Sequence, residues 1–375
     1  MRQALLSATT ALVSLSSAIV INAFAQTAQS PVRQVVDSVV NPWIAKDKLP
    51  GVAVAVSLGG KEAFYFYGQR DDAGNPFRPD SVVEIGSCTK VFTATLLAEQ
   101  VNEGHMALND LAKKYFPPGN HLGPSTQGMT LLMLATHTAG FPRDPKDIPD
   151  RLEKRNIENY TTSDFFHFID TWQVQGQLPA EYSYSNTGFG LLGYLIAKAA
   201  GADWENLLSE NVTKPLGMYD TVVRVRDDQQ PRLAQGHREN GAPAPQWPVF
   251  AWYAAGVLRS TSQDMLRFGE ANLGHPTAGG TTVPQQLAAA MKLAQQPRLP
   301  IDNGKLKQAL GWSIRPQSPG HDRLIRKDGG TAGFSSVIVL CPAKDLAIFV
   351  VTNQGEAEAS NIGTEIADRV RAGTN

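Results

Sequence analysis

The chain reads as strand at both ends and as helix in the middle, and that order restricts its fold more than any other feature. Residues 51–58 (GVAVAVSL) and 61–68 (KEAFYFYG) are β-rich runs separated by Gly59-Gly60, which is a hairpin signal. Near the other end, residues 323–330 (RLIRKDGG), 334–342 (FSSVIVLCP) and 346–354 (LAIFVVTNQ) are short β runs divided by Pro and Gly. Between them, residues 89–102, 129–138, 161–172 and 188–201 carry helical patterns. A helix is also expected after Pro31 over 31–45, with Val35, Val36, Val39 and Val40 on one face, and another over 356–371. Residues 142–156 and 228–250 read as exposed loops, and no internal repeat is visible. One sheet built from the two chain ends, with a helical part inserted between them, satisfies this order. We therefore expect an α/β (α+β) fold: a mixed, mainly antiparallel sheet flanked by helices, plus a helical domain, with the cleft between them. The sheet part is expected from about 26–86 and 300–375, and the helical part from about 87–299.

The first 25 residues read as an address. Arg2 precedes an apolar stretch from Ala4 to Ile21, and Ala23-Phe24-Ala25 forms an A-x-A cleavage pattern before Gln26. A spanning anchor would need about 20 strongly apolar residues. This stretch is diluted by Thr9, Thr10, Ser14, Ser16 and Ser17. The expectation is a cleaved export signal over 1–25 and a soluble, periplasmic protein over 26–375, with no later membrane span.

Composition removes several function classes. Thirty-four Lys+Arg against 35 Asp+Glu leave a net charge of −1, which gives no reason to expect nucleic-acid binding, since that usually needs a basic patch. A hydrophobic share of 42% supports a large core. The only cysteines, Cys88 and Cys341, cannot build a disulfide framework or a cysteine zinc cluster. They are expected as buried free thiols. The seven His show no H-x-H or H-E-x-x-H spacing, so no metal and no cofactor is expected. His137 is read as a structural hydrogen-bonder. No G-x-S-x-G elbow, P-loop or Rossmann fingerprint is present. Trp252 and Tyr253 suit either a cleft wall or the core. A monomer acting on a small-molecule substrate is expected.

Three short patterns carry the chemistry. The first is Ser87-Cys88-Thr89-Lys90, placed where the strand-like VVEIG passes into a helix. Positions i and i+3 share a helix face, so Lys90 stands within reach of the Ser87 hydroxyl. A Ser hydroxyl needs a base to become a nucleophile. A Lys can serve if burial or a neighbouring cation lowers its pKa. The second is Tyr184-Ser185-Asn186. Tyr can relay a proton, and Asn offers donors and an acceptor to hold an amide and to fix the Lys. Taken alone, this segment reads as a turn before a helix, capped by Asn186 or Thr187. The third is Lys327-Asp328-Gly329, running into Gly330-Thr331-Ala332-Gly333. A second Lys gives a fixed positive charge, and glycines on a strand let a substrate backbone approach closely.

S-x-x-K, Y-x-N and K-x-G in this order form the signature of the penicillin-recognising serine hydrolases. The segments IGSCTKVFTATLLAEQVNEG, MTLLMLATHTAGFP, YSYSNTGFGLLGYLI and GGTAGFSSVIVLCP resemble class C β-lactamases and the related low-molecular-mass penicillin-binding proteins. The likeness covers roughly residues 45–370. It implies the β-lactamase/transpeptidase-like fold and a set of roles. Ser87 is implied as the acylated nucleophile, with Lys90 and Tyr184 sharing the acid and base work. Asn186 is implied to bind the substrate amide and steady Lys90, and Lys327 to hold the substrate's carboxylate side. The backbone N–H groups of Ser87 and Gly330 are implied as the oxyanion hole. The implied activity is a periplasmic serine β-lactamase working through a Ser87 acyl-enzyme. The runner-up is a D-alanyl-D-alanine carboxypeptidase or endopeptidase, and an esterase of the same fold stands third. A penicillin-binding sensor that stays acylated is disfavoured by the cleavage site.

Two positions depart from the family pattern. Asp328 stands where a Thr or Ser hydroxyl is usual, and an ionised Asp only accepts hydrogen bonds. It either favours substrates without a free carboxylate, or turns away to pair locally, for example with Arg326, or alters specificity towards a cation. Asp144, in Gly140-Phe141-Pro142-Arg143-Asp144, stands where class C enzymes carry an amide-bearing Gln. It is expected to add negative charge near the substrate side chain.

Overall fold

The computed structural model of the protein describes residues 30–45, 49–116, 119, 121–148 and 157–370. The expected export signal over 1–25 lies outside the described residues, as do positions 149–156 of the expected loop.

Helix α1 (Pro31–Ile44) begins after Ser30, whose hydroxyl accepts from the Arg33 N–H at 3.1 Å. The hairpin follows as β1 (Gly51–Leu58) and β2 (Lys61–Gly68), turning through Gly59 and Gly60, both at positive φ. A two-residue strand β3 (Val83–Glu84) leads through a tight turn at Gly86–Cys88 into α2 (Thr89–Asn102). The middle of the chain supplies α3 (Leu131–Ala135), α4 (Thr162–Thr171), α5 (Asn186–Ala200) and α6 (Trp204–Leu208). Strand β4 (Arg259–Ser260) pairs with β3 and precedes α7 (Ser262–Leu273). A small hairpin, β5 (Thr277–Ala278) and β6 (Thr281–Thr282), leads to α8 (Gln285–Ala294). Strands β7 (Leu299–Ile301), β8 (Leu306–Gln308), β9 (Ser313–Arg315), β10 (Leu324–Gly330), β11 (Ser335–Cys341) and β12 (Leu346–Thr352) follow, and α9 (Ala359–Arg369) ends the described chain.

The two chain ends do build one sheet. Its order is β2-β1-β12-β11-β10-β9-β8-β7, and every neighbouring pair runs antiparallel. Among the described residues, parallel pairing is confined to the isolated bridges Val82–Leu233 and His237–Gln354. Alternation gives the central strands two buried faces. Val52, Val54, Val56, Val337, Val339, Ile348 and Val350 pack with α1 and α9. Ala53, Ala55, Ile338, Leu340, Ala347 and Phe349 join the larger core on the opposite face. Helix α7 lies on that second face. Its Gly269 comes so near the sheet that a Cβ there would stand 2.9 Å from the Ala347 methyl. Helix α8 packs in turn against α2.

The expected helix over 129–138 is shorter than its pattern. Only Leu131–Ala135 is helical, and His137 takes φ 61°. The Thr136 hydroxyl donates back to the Leu132 carbonyl at 2.7 Å and lies 3.1 Å from the Thr138 hydroxyl. Local side-chain bonds of this kind compete with helix continuation. The chain therefore turns here and delivers His137 to the cleft.

Candidate active site

Ser87 sits in the tight turn ahead of α2, and close backbone packing fixes that turn. Gly86 has φ 48°, and a Cβ there would stand 2.7 Å from the Gly330 nitrogen. Gly329 is tighter still. A Cβ on it would meet the Ile85 carbonyl oxygen at 2.1 Å and the Cys88 nitrogen at 3.0 Å. Glycine is thus required on both sides for β10 to lie against the Ser87 turn. The backbone of Gly330 is held beside Ser87 as a result.

One turn along α2, the Lys90 ammonium is fully buried. It donates to Ser87 Oγ at 3.1 Å, to Asn186 Oδ1 at 2.6 Å and to the Ala255 carbonyl at 2.6 Å. Burial, opposed by Tyr184 and assisted by the Lys327 charge, lowers the Lys90 pKa to about 8. Ser185, not Asn186 or Thr187, caps α5: its hydroxyl accepts from the Gly188 N–H at 2.8 Å. That leaves the Asn186 side chain free to face Lys90. The Asn186 amide nitrogen donates to Asp144 Oδ1 at 2.9 Å.

Tyr184 lies between two cations. Lys90 Nζ is 4.8 Å and Lys327 Nζ 4.9 Å from its ring centroid. Burial pushes the phenol up, but the Lys327 and Lys90 charges and hydrogen bonds to Lys90 and Ser87 outweigh it, so its pKa is lowered. His137 backs the ring at a centroid distance of 4.6 Å. Its Nδ1 accepts from the Ser185 N–H at 3.0 Å. Burial and the two lysines hold the His137 pKa well below the usual range, so the ring is neutral.

Lys327 is buried, and its Nζ lies 3.7 Å from Asp328 Oδ1. Burial pulls its pKa down, yet Asp328 and Tyr184 more than offset that, and it is raised. The Asp328 carboxyl is held below the usual carboxylate range by Lys327. Arg326, the alternative partner for Asp328, is instead turned towards α9, where it donates to Thr364 at 3.0 Å.

These groups line a cleft of about 1610 Å³, together with Tyr182, Trp247 and Phe250. Ser87, Lys90, Tyr184, Asn186, Asp144, Lys327, Asp328 and Gly330 all lie on it or against it. Trp252 contributes to the cleft floor but is buried among Tyr160, Phe165 and Phe250. Among the described residues no cluster of His, Cys, Asp and Glu could hold a metal ion.

A family model described as Beta-lactamase matches residues 32–371. The chain belongs to the beta-lactamase family. Within that family it is 27% identical over 361 residues to a beta-lactamase of Pseudomonas fluorescens, covering 88% of this chain and 96% of the relative. It is 31% identical over 313 residues to the D-alanyl-D-alanine-carboxypeptidase/endopeptidase AmpH of Escherichia coli K12, covering 81% and 79%. A solved class C beta-lactamase superposes with a TM-score of 0.78 at 24% identity, covering 91% of this chain and 96% of that one. The β-lactamase/transpeptidase-like fold is therefore established for this family member.

Several contributors to the beta-lactamase cleft are not visible as motifs. The Ala255 carbonyl receives one Lys90 hydrogen, and no side-chain pattern marks a carbonyl. Glu84 is buried, accepts from the Thr331 hydroxyl at 2.6 Å and the Trp247 N–H at 2.5 Å, and lies 3.8 Å from Arg259. It ties the end of β10 to the Trp247 wall. An acid inside the apolar run VVEIG was the available signal, since buried carboxylates need partners. Cys88 and Cys341 are both free and buried. They belong to the cores on opposite faces of the sheet.

Proposed function

We propose that this protein is an exported, periplasmic serine hydrolase that opens β-lactam amides through an acyl-enzyme on Ser87. The observation that carries the reading is the set of three hydrogen bonds around Lys90. An ammonium has three hydrogens and fills all three directions. A neutral amine has two hydrogens and one lone pair. With Asn186 Oδ1 and the Ala255 carbonyl able only to accept, the two remaining hydrogens stay on them. The lone pair then faces the Ser87 hydroxyl. Losing one proton thus turns Lys90 from a donor into a general base without moving an atom.

In this mechanism Lys90 takes the Ser87 proton as Oγ attacks the lactam carbonyl. The N–H groups of Ser87 and Gly330 stabilise the oxyanion, each typically worth about 10²–10³ in rate. Tyr184, drawn towards ionisation by its two lysines, relays a proton to the leaving nitrogen. Asn186 keeps one amide hydrogen for the substrate. Water then hydrolyses the ester, with the same groups working in reverse.

The second reading is a D-alanyl-D-alanine carboxypeptidase or endopeptidase. It is favoured by the 31% identity to AmpH, which exceeds the 27% to the Pseudomonas beta-lactamase. Both activities share acylation of Ser87 and differ in how quickly water reaches the ester. The test is a chromogenic cephalosporin mixed with the mature protein and with Ser87→Ala, following turnover and intact mass together. Turnover lost in Ser87→Ala is the expected result. A lasting adduct on Ser87 without turnover shifts the assignment to the peptidase. Turnover that survives in Ser87→Ala overturns both.

A further inference from the structure

Asp144 does not stand alone at the cleft edge. Its Oδ1 takes the Asn186 amide nitrogen at 2.9 Å, Asn186 Oδ1 takes Lys90 Nζ at 2.6 Å, and Lys90 Nζ reaches Ser87 Oγ at 3.1 Å. We propose that Asp144 is a positioning residue that acts through Asn186 and locks its amide with the oxygen on Lys90. The proposal rests on Ser87 being the nucleophile and Lys90 its base.

A primary amide can be turned over end for end with little change in shape, and its neighbours decide which way it points. Lys90 cannot decide alone, because its neutral form has a lone pair and tolerates an amide N–H. An ionised carboxylate can only accept. Asp144 therefore demands the nitrogen, and the oxygen is left for Lys90. The loop is held for this purpose from the backbone too: the Asn186 N–H donates to the Arg143 carbonyl at 2.7 Å. An amide-bearing side chain at 144 could present either end and would not enforce the orientation.

The lock has a signed consequence. An amide oxygen on Lys90 and a carboxylate behind it both favour the ammonium. Lys90 is faced by Ser87 in the turn ahead of α2, by Tyr184 and Asn186 at the start of α5, by Lys327 and Asp328 on β10, by neutral His137, and by the Ala255 carbonyl. Tyr184 and Asp144 oppose the lowering of its pKa, while Lys327 adds to it. Removing Asp144 takes away a negative charge. It also lets the amide turn its N–H towards Lys90, which only the neutral amine accommodates. Both effects lower the Lys90 pKa.

The experiment compares wild type, Asp144→Asn and Asp144→Glu in two ways. The first is the pH profile of kcat/KM on a chromogenic cephalosporin. The second is the Lys90 side-chain titration by NMR with ¹³C-labelled lysine, assigned by loss of the signal in Lys90→Arg. Asp144→Asn is expected to move the acid limb and the Lys90 titration to lower pH by about half a unit or more. Asp144→Glu is expected to keep both close to wild type, because a carboxylate is restored. An Asn variant whose Lys90 titrates at the wild-type pH, or higher, overturns the proposal. The NMR arm needs no turnover, so a wild type that fails to hydrolyse the cephalosporin counts against the proposed function and not against the Asp144 lock. Thermal melting confirms that each variant is folded.

Discussion

The Lys327 ammonium lies 3.7 Å from the carboxylate of Asp328, its neighbour on β10. Lys327 is buried, whereas the Asp328 side chain is 64% exposed to the cleft. The cation that a substrate carboxylate would seek is thus already faced by an acid, and the acid is the part that incoming substrate meets. Asp328→Thr removes the repulsion and adds a donor. It is expected to lower KM for a penicillin, whose carboxylate lies beside the lactam, by roughly tenfold, the effect of about 1.4 kcal/mol. An uncharged ester hydrolysed by the same Ser87 is expected to change little. Steady-state kinetics on the two substrates checks this, and equal effects on both would count against a role in carboxylate selection.

The pH dependence follows from Lys90. With its pKa lowered to about 8, the base form grows as pH rises through that value. Rates of Ser87 acylation are expected to climb between about pH 7 and about pH 9 and to level off above that, with an apparent midpoint near the Lys90 value shared between Lys90 and Tyr184 as a coupled pair. Lys90→Arg stays protonated throughout. It is expected to lose about 10²–10⁴-fold in acylation rate and to lose this limb. Rapid-mixing mass spectrometry across pH measures both. A limb that persists in Lys90→Arg would move the base role to Tyr184.

Gly329 and Gly330 are adjacent but make opposite demands. A Cβ on Gly329 would sit 2.1 Å from the Ile85 carbonyl oxygen and 2.7 Å from Ser336 Oγ, while one on Gly330 meets nothing within 4 Å. Gly329→Ala must push β10 away from the Ser87 turn. It is expected to destabilise by about 1–3 kcal/mol and to reduce activity at least tenfold. Gly330→Ala is expected to melt close to wild type. Thermal denaturation of the pair distinguishes close packing from a general need for glycine in the strand.

How much of this was readable beforehand depended on what each element presents in sequence. The hairpin and the strands β10 to β12 are short runs, mostly rich in β-branched and aromatic residues, divided by Gly and Pro; β1, β11 and β12 are buried on both faces, so run length and turn residues mark them and not a period of 2. Strands β7 to β9 span three residues each, too few to show any period. Helix α7 is amphipathic but escaped because it buries Asp264, Glu270 and Asn272 alongside Met265 and Phe268, so its buried face is not apolar enough to read as a core face. Ser87, Lys90, Tyr184, Asn186 and Lys327 were legible because fixed short spacings carry them. The Asp144–Asn186 bond was not, because a contact across 42 residues leaves no spacing to read. Asp144 could be placed near the site but not against its partner.

His137 gives the last prediction. Its φ of 61° is unusual for a residue other than Gly, and such conformations persist only where surrounding contacts hold them. Here Nδ1 accepts from the Ser185 N–H at 3.0 Å, the His137 carbonyl accepts from the Ser183 N–H at 2.9 Å, and the ring backs Tyr184. With Nδ1 accepting, the neutral ring carries its proton on Nε2. His137 therefore clamps the Tyr184-Ser185-Asn186 segment on both sides of the phenol. Asn tolerates this backbone region and carries an acceptor, so His137→Asn is expected to retain much of the activity. Val is β-branched and offers no acceptor, so His137→Val is expected to lose at least tenfold in kcat. Because the ring is neutral, neither change should move the acid limb set by Lys90 and Tyr184. A pH profile displaced in His137→Asn would show that the ring acts on the charges of the site and does more than hold the segment in place.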